Sequence, residues 1–126
     1  EGDNNVTAVF GWYAMHRQVI VEGQAAKVSA DESTDYFASR PRGSQVAAWA
    51  SEQSKPIESR DALEKQFADA EQRFEGDGEV PRPPHWGGYR IVPSRIEFWK
   101  GRSNRMHDRI VYLRTPDGWT VERLQP

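Results

Sequence analysis

The stretch GRSNRMHDRIVY, Gly101 to Tyr112, ends in an apolar run with β-branched residues and so predicts a strand. Side chains two apart on a strand point to the same face, which would set Arg105, His107 and Arg109 side by side with Met106 facing the other way. Val111 and Leu113 continue that face into what should be core. An ordinary half-buried strand alternates apolar with polar residues. Two guanidiniums and an imidazole lined up at the edge of a core therefore mark this segment as a candidate site.

The flanking segments are also mostly β. Trp119 to Leu124 should pair with the quoted strand through a hairpin at Pro116-Asp117-Gly118, and Arg90 to Val92 and Arg95 to Trp99 read as strands before it. Near the N-terminus, Val6 to Trp12 and Gln18 to Glu22 are expected strands, with Gln24 to Val28 as another after a turn at Gly23. Helical signals interrupt this pattern. Ser29 and Glu32 have capping-box spacing, so a helix should start there and run until Pro41 stops it. Ser44 sits where an N-cap belongs, before a short helical piece over Gln45 to Ala50. The longest helix is expected from Arg60 to Phe74, capped by Ser59 and closed by Gly76, its stripe of Leu63, Phe67, Ala70 and Phe74 lying on a sheet. Glu79 to His85 contains VPRPP and should be extended, and the paired Gly87-Gly88 suggests a bulge or close backbone approach. The sum is mainly β with helices (α+β): a small antiparallel barrel with helices packed outside it, in a single domain over residues 1–126.

Composition narrows the function. A chain of 126 residues should bury about two-thirds of its unfolded surface, enough for one core. The hydrophobic fraction is only 37%, but five Trp, five Phe and four Tyr supply large packing surfaces. A net charge of −2 argues against a general polyanion binder, so no nucleic-acid partner is expected. Of the 17 basic residues 13 are Arg, the side chain suited to gripping phosphate or carboxylate or to stacking on a ring. The absence of Cys excludes disulfides, thiolate metal sites and cysteine nucleophiles. No apolar run approaches the roughly 20 residues of a membrane span and no signal peptide opens the chain, so a soluble cytoplasmic protein without a membrane partner is expected.

Tyr36 and Arg40 would lie one turn apart on a helix face, and a helix N-terminus at Ser44 would offer unpaired N–H groups. Together the three describe a phosphate cradle; the alternative is that Tyr36 packs and Arg40 is solvated, the commoner arrangement on capped helices. His16, His85 and His107 are scattered and lack carboxylates at ligand spacing, so no metal site is expected. There is no nucleophile-elbow pattern around the serines and no carboxylate pair in an apolar setting, which leaves hydrolase and acid/base chemistry unsupported.

SRPRGSQ (39–45), AWASEQS (48–54), VPRPPHWGGYRIVPSRIEFWKG (80–101), NRMHDRIVY (104–112) and the closing ERLQP together resemble pyridoxamine 5′-phosphate oxidase, collinearly and to the C-terminus. The resemblance implies an FMN-binding split β-barrel, usually a homodimer with FMN at the subunit interface. It implies an oxidoreductase of vitamin B6 metabolism that converts pyridoxine or pyridoxamine 5′-phosphate to pyridoxal 5′-phosphate with oxygen as acceptor. The family's N-terminal part, with initial barrel strands and an Arg-x-x-Leu-Leu-Lys stretch, has no counterpart here. Glu1 falls partway into the family's fold, so the expectation is the C-terminal portion of a longer polypeptide.

Position by position, the resemblance implies that Arg105 and His107 contact the substrate ring and form the catalytic pair, and that Tyr36, Arg40 and Ser44 bind the substrate phosphate. It implies flavin contacts for Gln18, Gln53, Ser54, Trp99 and Arg109, and leaves Arg42, Trp49 and Trp86 as structural. Hydride transfer between two stacked rings needs positioning more than proton transfer, which accords with the missing carboxylate pair. Two other classes remain at this point: a non-catalytic flavin- or pyridoxal phosphate-binding split-barrel protein, and an inactive, partner-binding fragment.

Overall fold

A computed structural model describes residues 2–76 and 78–126; Glu1, the expected entry point into the family's fold, and Asp77 lie outside the described residues. The chain forms two compact units. One runs up to Lys27 and resumes over Tyr89–Pro126, and the other is Val28–Gly88. Among the described residues no helix is long and apolar enough to cross a membrane.

The first unit is an antiparallel meander of five strands in the order β1-β2-β3-β4-β5, so β1 and β5 are its edges. The strands are β1 (Asn5–Trp12), β2 (Arg17–Lys27), β3 (Tyr89–Lys100), β4 (Asp108–Thr115) and β5 (Gly118–Leu124). Thr115 pairs with Gly118, so Pro116 and Asp117 form a two-residue hairpin loop, and Gly118 takes the positive φ of 137° that glycine tolerates.

Two expected breaks are absent for one physical reason. Gly23 is not a turn and Val92 to Arg95 is not a gap: β2 and β3 each run through, joined by a bulge. Glu22 pairs with Arg95 and Gly23 with Pro93, which leaves Ser94 as the extra residue, its hydroxyl donating to the Glu22 carbonyl at 3.3 Å. A proline without an N–H is tolerated at such an irregularity. The backbones approach so closely that a Cβ on Gly23 would sit 2.2 Å from the Val92 carbonyl oxygen.

The quoted stretch also differs from the strand it predicts. The strand β4 begins only at Asp108; Ser103–Arg105 form a 3-10 turn, in which Asn104 and Arg105 have left-handed φ of 56° and 61°. Arg105, His107 and Arg109 therefore do not share a strand face, and Met106 is not opposite them. The β4 part of the reading holds: Arg109, Val111 and Leu113 alternate on one face, and Val111 is 2% exposed.

The second unit contains α1 (Ala30–Ala38), α2 (Arg42–Ala50) and α3 (Arg60–Arg73). Ser29 caps α1, its hydroxyl accepting the Glu32 N–H at 3.1 Å, and Ser59 caps α3 through the Ala62 N–H at 3.1 Å. The apolar stripe of α3 packs against α2, around a core of Phe37, Val46, Ala70 and Val80 with Phe67, Phe74, Trp49 and Trp86 at its margin. Buried Gln45 of α2 donates to the last carbonyls of α1, Phe37 at 3.0 Å and Ala38 at 3.1 Å. Arg42 similarly donates to the Phe74 and Gly78 carbonyls at 2.6 Å, which gives it the structural role expected of it.

Because no movement of a flexible side chain can relieve a Cβ against backbone, Gly23→Ala should destabilise the full-length protein by on the order of 3 kcal/mol. Denaturant unfolding measures this, and wild-type stability in the variant would contradict the bulge geometry.

Candidate functional site

In the helical unit a cleft of about 280 Å³ is lined by Arg40, Ser44, Ala47, Ala48, Ser51, Gln53, His85, Trp86 and Gly87. The geometry of its cationic corner comes from Trp86. Tyr36 stacks on this ring with centroids 6.1 Å apart, and the Arg40 guanidinium lies 5.1 Å over it. One nitrogen of that guanidinium, Nη1, is buried and has no hydrogen-bond partner. Nearly all buried polar atoms are paired, so a guanidinium with an unpaired nitrogen in a residue that lines a cleft suits an anionic ligand.

Local structure departs here from the expected cradle. The helix α2 begins two residues before Ser44, with Pro41 as N-cap and no side-chain cap, and the Ser44 N–H donates to the Pro41 carbonyl at 2.8 Å. Ser44 thus lies in the first turn of α2 and its amide is already used; its hydroxyl remains as a donor to the cleft. Arg40 falls just past the end of α1, not on its face, and meets Tyr36 through Trp86 instead of through helical spacing.

The flavin-assigned Gln53 lines this same cleft, whereas Ser54, with φ 67°, lines a neighbouring one of about 280 Å³ with Glu52, Lys55 and Ile57. Ser51, His85 and Trp86 are cleft residues that the sequence reading missed or left as structural. The segment carrying His85 and Trp86 is held by Arg82, which donates to the Trp86 carbonyl and, at 3.1 Å, to the Thr34 hydroxyl on α1.

In the sheet unit the strand register assembles the remaining residues. Gln18 pairs with Trp99 and Trp99 with Arg109, so an amide, an indole and a guanidinium form one row across β2, β3 and β4 on a single face. His107 lies against Trp99 with ring centroids 4.8 Å apart. Its Nδ1 accepts the Arg102 N–H at 3.1 Å, which makes Nε2 the nitrogen free to donate. His16, Trp99, Gly101, Arg102, Ser103 and His107 line a cleft of about 500 Å³. Gly101 fits tightly there, since a Cβ would come within 3.0 Å of His16 Cβ and 3.1 Å of the Trp99 ring. Arg105 is exposed at the tip of the turn.

In the next row on the same face sits a carboxylate that sequence reasoning did not single out. Glu97 is 3% exposed, and its Oε1 and Oε2 accept Arg109 Nε at 2.7 Å and Nη2 at 3.1 Å. Oε2 also accepts Arg95 Nη2 at 2.5 Å, and Arg95 Nη1 reaches Glu22 at 2.7 Å. The Arg109 hydrogen bonds, with those of Arg95, hold the Glu97 carboxyl below its ordinary value against the opposing effect of burial.

An open antiparallel meander with an amide, an aromatic ring and a cation in register on one face, in a chain that also carries a helical unit with an anion-suited cleft, belongs to the FMN-binding split-barrel class of folds. Residues 1–74 match the family model described as pyridoxamine 5′-phosphate oxidase, and residues 86–126 that described as the pyridoxine 5′-phosphate oxidase C-terminal dimerisation region. The chain belongs to the pyridoxamine 5′-phosphate oxidase family. It is similar to proteins named pyridoxine/pyridoxamine 5′-phosphate oxidase from Rubrobacter xylanophilus, 57% identical over 126 residues, and Proteus mirabilis, 50% identical over 126 residues, in each case over 100% of this chain and 58% of the relative. The chain thus spans little more than half the length of these curated relatives. Among solved structures, PhzG from Burkholderia lata in complex with tetrahydrophenazine-1-carboxylic acid superposes with a TM-score of 0.86 at 29% identity, over 98% of this chain and 59% of that one. A pyridoxamine 5′-phosphate oxidase-related, FMN binding protein from Nostoc punctiforme shares the fold at 12% identity, with a TM-score of 0.70 over 98% of this chain and 63% of that one.

The lowered value of Glu97 fixes a sign. A carboxyl that titrates lower when folded adds stability above its unfolded value of about 4.3, and that contribution is lost as pH falls through the lowered folded value. Unfolding free energies measured from about pH 6 down to about pH 3 should therefore fall less steeply in Glu97→Gln than in the wild type. Parallel profiles would show that Glu97 does not titrate with folding.

Proposed function

We propose that this chain is the part of an FMN-dependent oxidase that handles pyridoxamine or pyridoxine 5′-phosphate, yielding pyridoxal 5′-phosphate with oxygen as electron acceptor. The observation that carries the reading is Arg40, which lines a cleft with Ser44 and keeps one guanidinium nitrogen, Nη1, without a partner, a combination that suits a phosphate-bearing substrate. FMN is the cofactor, and when bound it supplies a ring that accepts hydride from the substrate carbon and returns the electrons to oxygen.

The residues present fit such a group. The row of Gln18, Trp99 and Arg109 offers a hydrogen-bonding amide, a flat apolar surface and a cation in register. Gln53 and Ser54 add polar contacts from the segment after α2. Arg40 and the Ser44 hydroxyl grip the substrate phosphate, while Trp86 fixes the guanidinium and Tyr36 closes the stack. The Nε2 of His107 donates to a substituent of the pyridine ring, its tautomer fixed by the Arg102 N–H. Arg105, exposed and free of ion pairs among the described contacts, lays its planar guanidinium over that ring. The catalytic contribution of these side chains is orientation, since no proton relay is needed for hydride transfer. A homodimer is part of the reading, supported by the match of residues 86–126 to a dimerisation region. A soluble, cytoplasmic setting is proposed with it.

In the full-length polypeptide, Arg105→Ala and His107→Ala should leave FMN affinity nearly unchanged and lower kcat/KM by roughly 10- to 150-fold, the loss of one charge-assisted or stacking contact. Arg40→Ala should act mainly through KM for the phosphorylated substrate. Flavin titration and steady-state kinetics decide this. A wild-type protein that binds FMN and pyridoxal phosphate but shows no turnover would instead make it a carrier.

A further inference from the structure

Arg109 is the only cation of the Gln18–Trp99–Arg109 row, and its freedom is small. Two of its nitrogens are taken by Glu97 at 2.7 and 3.1 Å, and the third, Nη1, donates to the Gln125 carbonyl at 3.3 Å. Of its five N–H bonds this leaves one on Nη1 and one on Nη2, along the edge of the fork that faces away from Glu97. Glu97 is itself immobile. It is 3% exposed, it lies on β3 in the row next to Trp99 on the same face, and Arg95, held in turn by Glu22, grips its second oxygen.

We propose that Glu97 is a positioning residue for the flavin: by gripping Arg109 with both oxygens it fixes which edge of that guanidinium is presented to FMN, and so sets both flavin affinity and flavin reduction potential. The inference rests on the reading of Arg109 as a flavin contact. A charge-neutralising role alone makes a different prediction. If Glu97 only balances the two arginines, any carboxylate at this position suffices; if it positions, the reach of the carboxylate matters. Glu97→Asp separates the two, because it keeps the charge and shortens the side chain by one methylene, too short to hold both Nε and Nη2.

The test uses the full-length polypeptide with FMN as the probe. Glu97→Asp, with its fold checked by thermal unfolding, should bind FMN about 10-fold more weakly and shift the flavin potential to a more negative value, since the cation that favours the reduced flavin is no longer held in place. The same substitution in an Arg109→Ala background should have no further effect on either quantity. Wild-type FMN affinity and potential in folded Glu97→Asp, with Arg109→Ala still weakening FMN, would overturn the positioning role alone. An Arg109→Ala variant with wild-type FMN affinity would overturn the flavin reading of Arg109 and this proposal with it. Should Glu97→Asp fail to fold, Arg109→Lys decides: it keeps the cation without the fork, so a weakened, more negative flavin supports the proposal and wild-type values overturn it.

Discussion

The sheet is organised around a carboxylate that cannot be left alone. An ionised Glu97 almost out of contact with water is tolerable only if both oxygens are engaged by opposite charge, and the arginines that do so come from two places: Arg95, two residues away on the same strand, and Arg109, across β4. This requirement ties β3 to β4 in one register. A slip of one residue would carry Arg109 to the other face, strand the carboxylate and turn Val111 outward. The same register sets Trp99 opposite Arg109 and Gln18 opposite Trp99, so the row read as a flavin contact and the buried ion pair are two consequences of one alignment.

The other face of the sheet has a different character. Phe10, Val19, Phe98 and Ile110 form an apolar row, and Phe98 meets Tyr112 edge-to-face at 5.6 Å. In β3, Arg95 and Glu97 on one face alternate with Ile96 and Phe98 on the other, while β4 was legible from its apolar, β-branched run. Their ends were not legible, and the reasons are local. A bulge placing Ser94 outside the ladder produces a Pro-Ser step that mimics a strand break, and the glycine facing it mimics a turn. In the Gly101 to Tyr112 stretch, Gly, Ser and Asn are turn formers, and two residues with positive φ outweigh the period-two pattern that seemed to run through Arg105.

Of the site, what could be read was what lies close in sequence or matches a known pattern. Ser29 and Glu32 cap α1 as their spacing implies. Ser44 looked like an N-cap because capping is a side-chain preference, but Pro41 with its fixed φ starts α2 earlier and needs no hydroxyl. Trp86 and His85 join Arg40 across more than 40 intervening positions, and Glu97 reads in IEFW as an ordinary polar position of a half-buried strand. No periodicity reports such pairings, because they depend on the tertiary path and not on the helix or strand in which each residue sits.

The preference for Arg over Lys points to groups that need a planar fork to grip phosphate or carboxylate or to stack on a ring, and the structure divides that signal. Arg42 caps the end of α3, Arg82 pins the segment before β3, Arg95 and Arg109 clamp a buried carboxylate, and each uses the two-point grip that Lys lacks. Part of the arginine enrichment is therefore explained by internal architecture. What distinguishes a binding arginine from a structural one is the state of its donors. In Arg42 the terminal nitrogens are met by backbone carbonyls, whereas Arg40 is held by ring faces, over Trp86 and Phe37, which orient a guanidinium without using its N–H bonds. A cation fixed by aromatic surface and left with a buried, unspent donor is the arrangement on which the proposed phosphate site rests, and it is visible only once the chain has brought Trp86 back to α1.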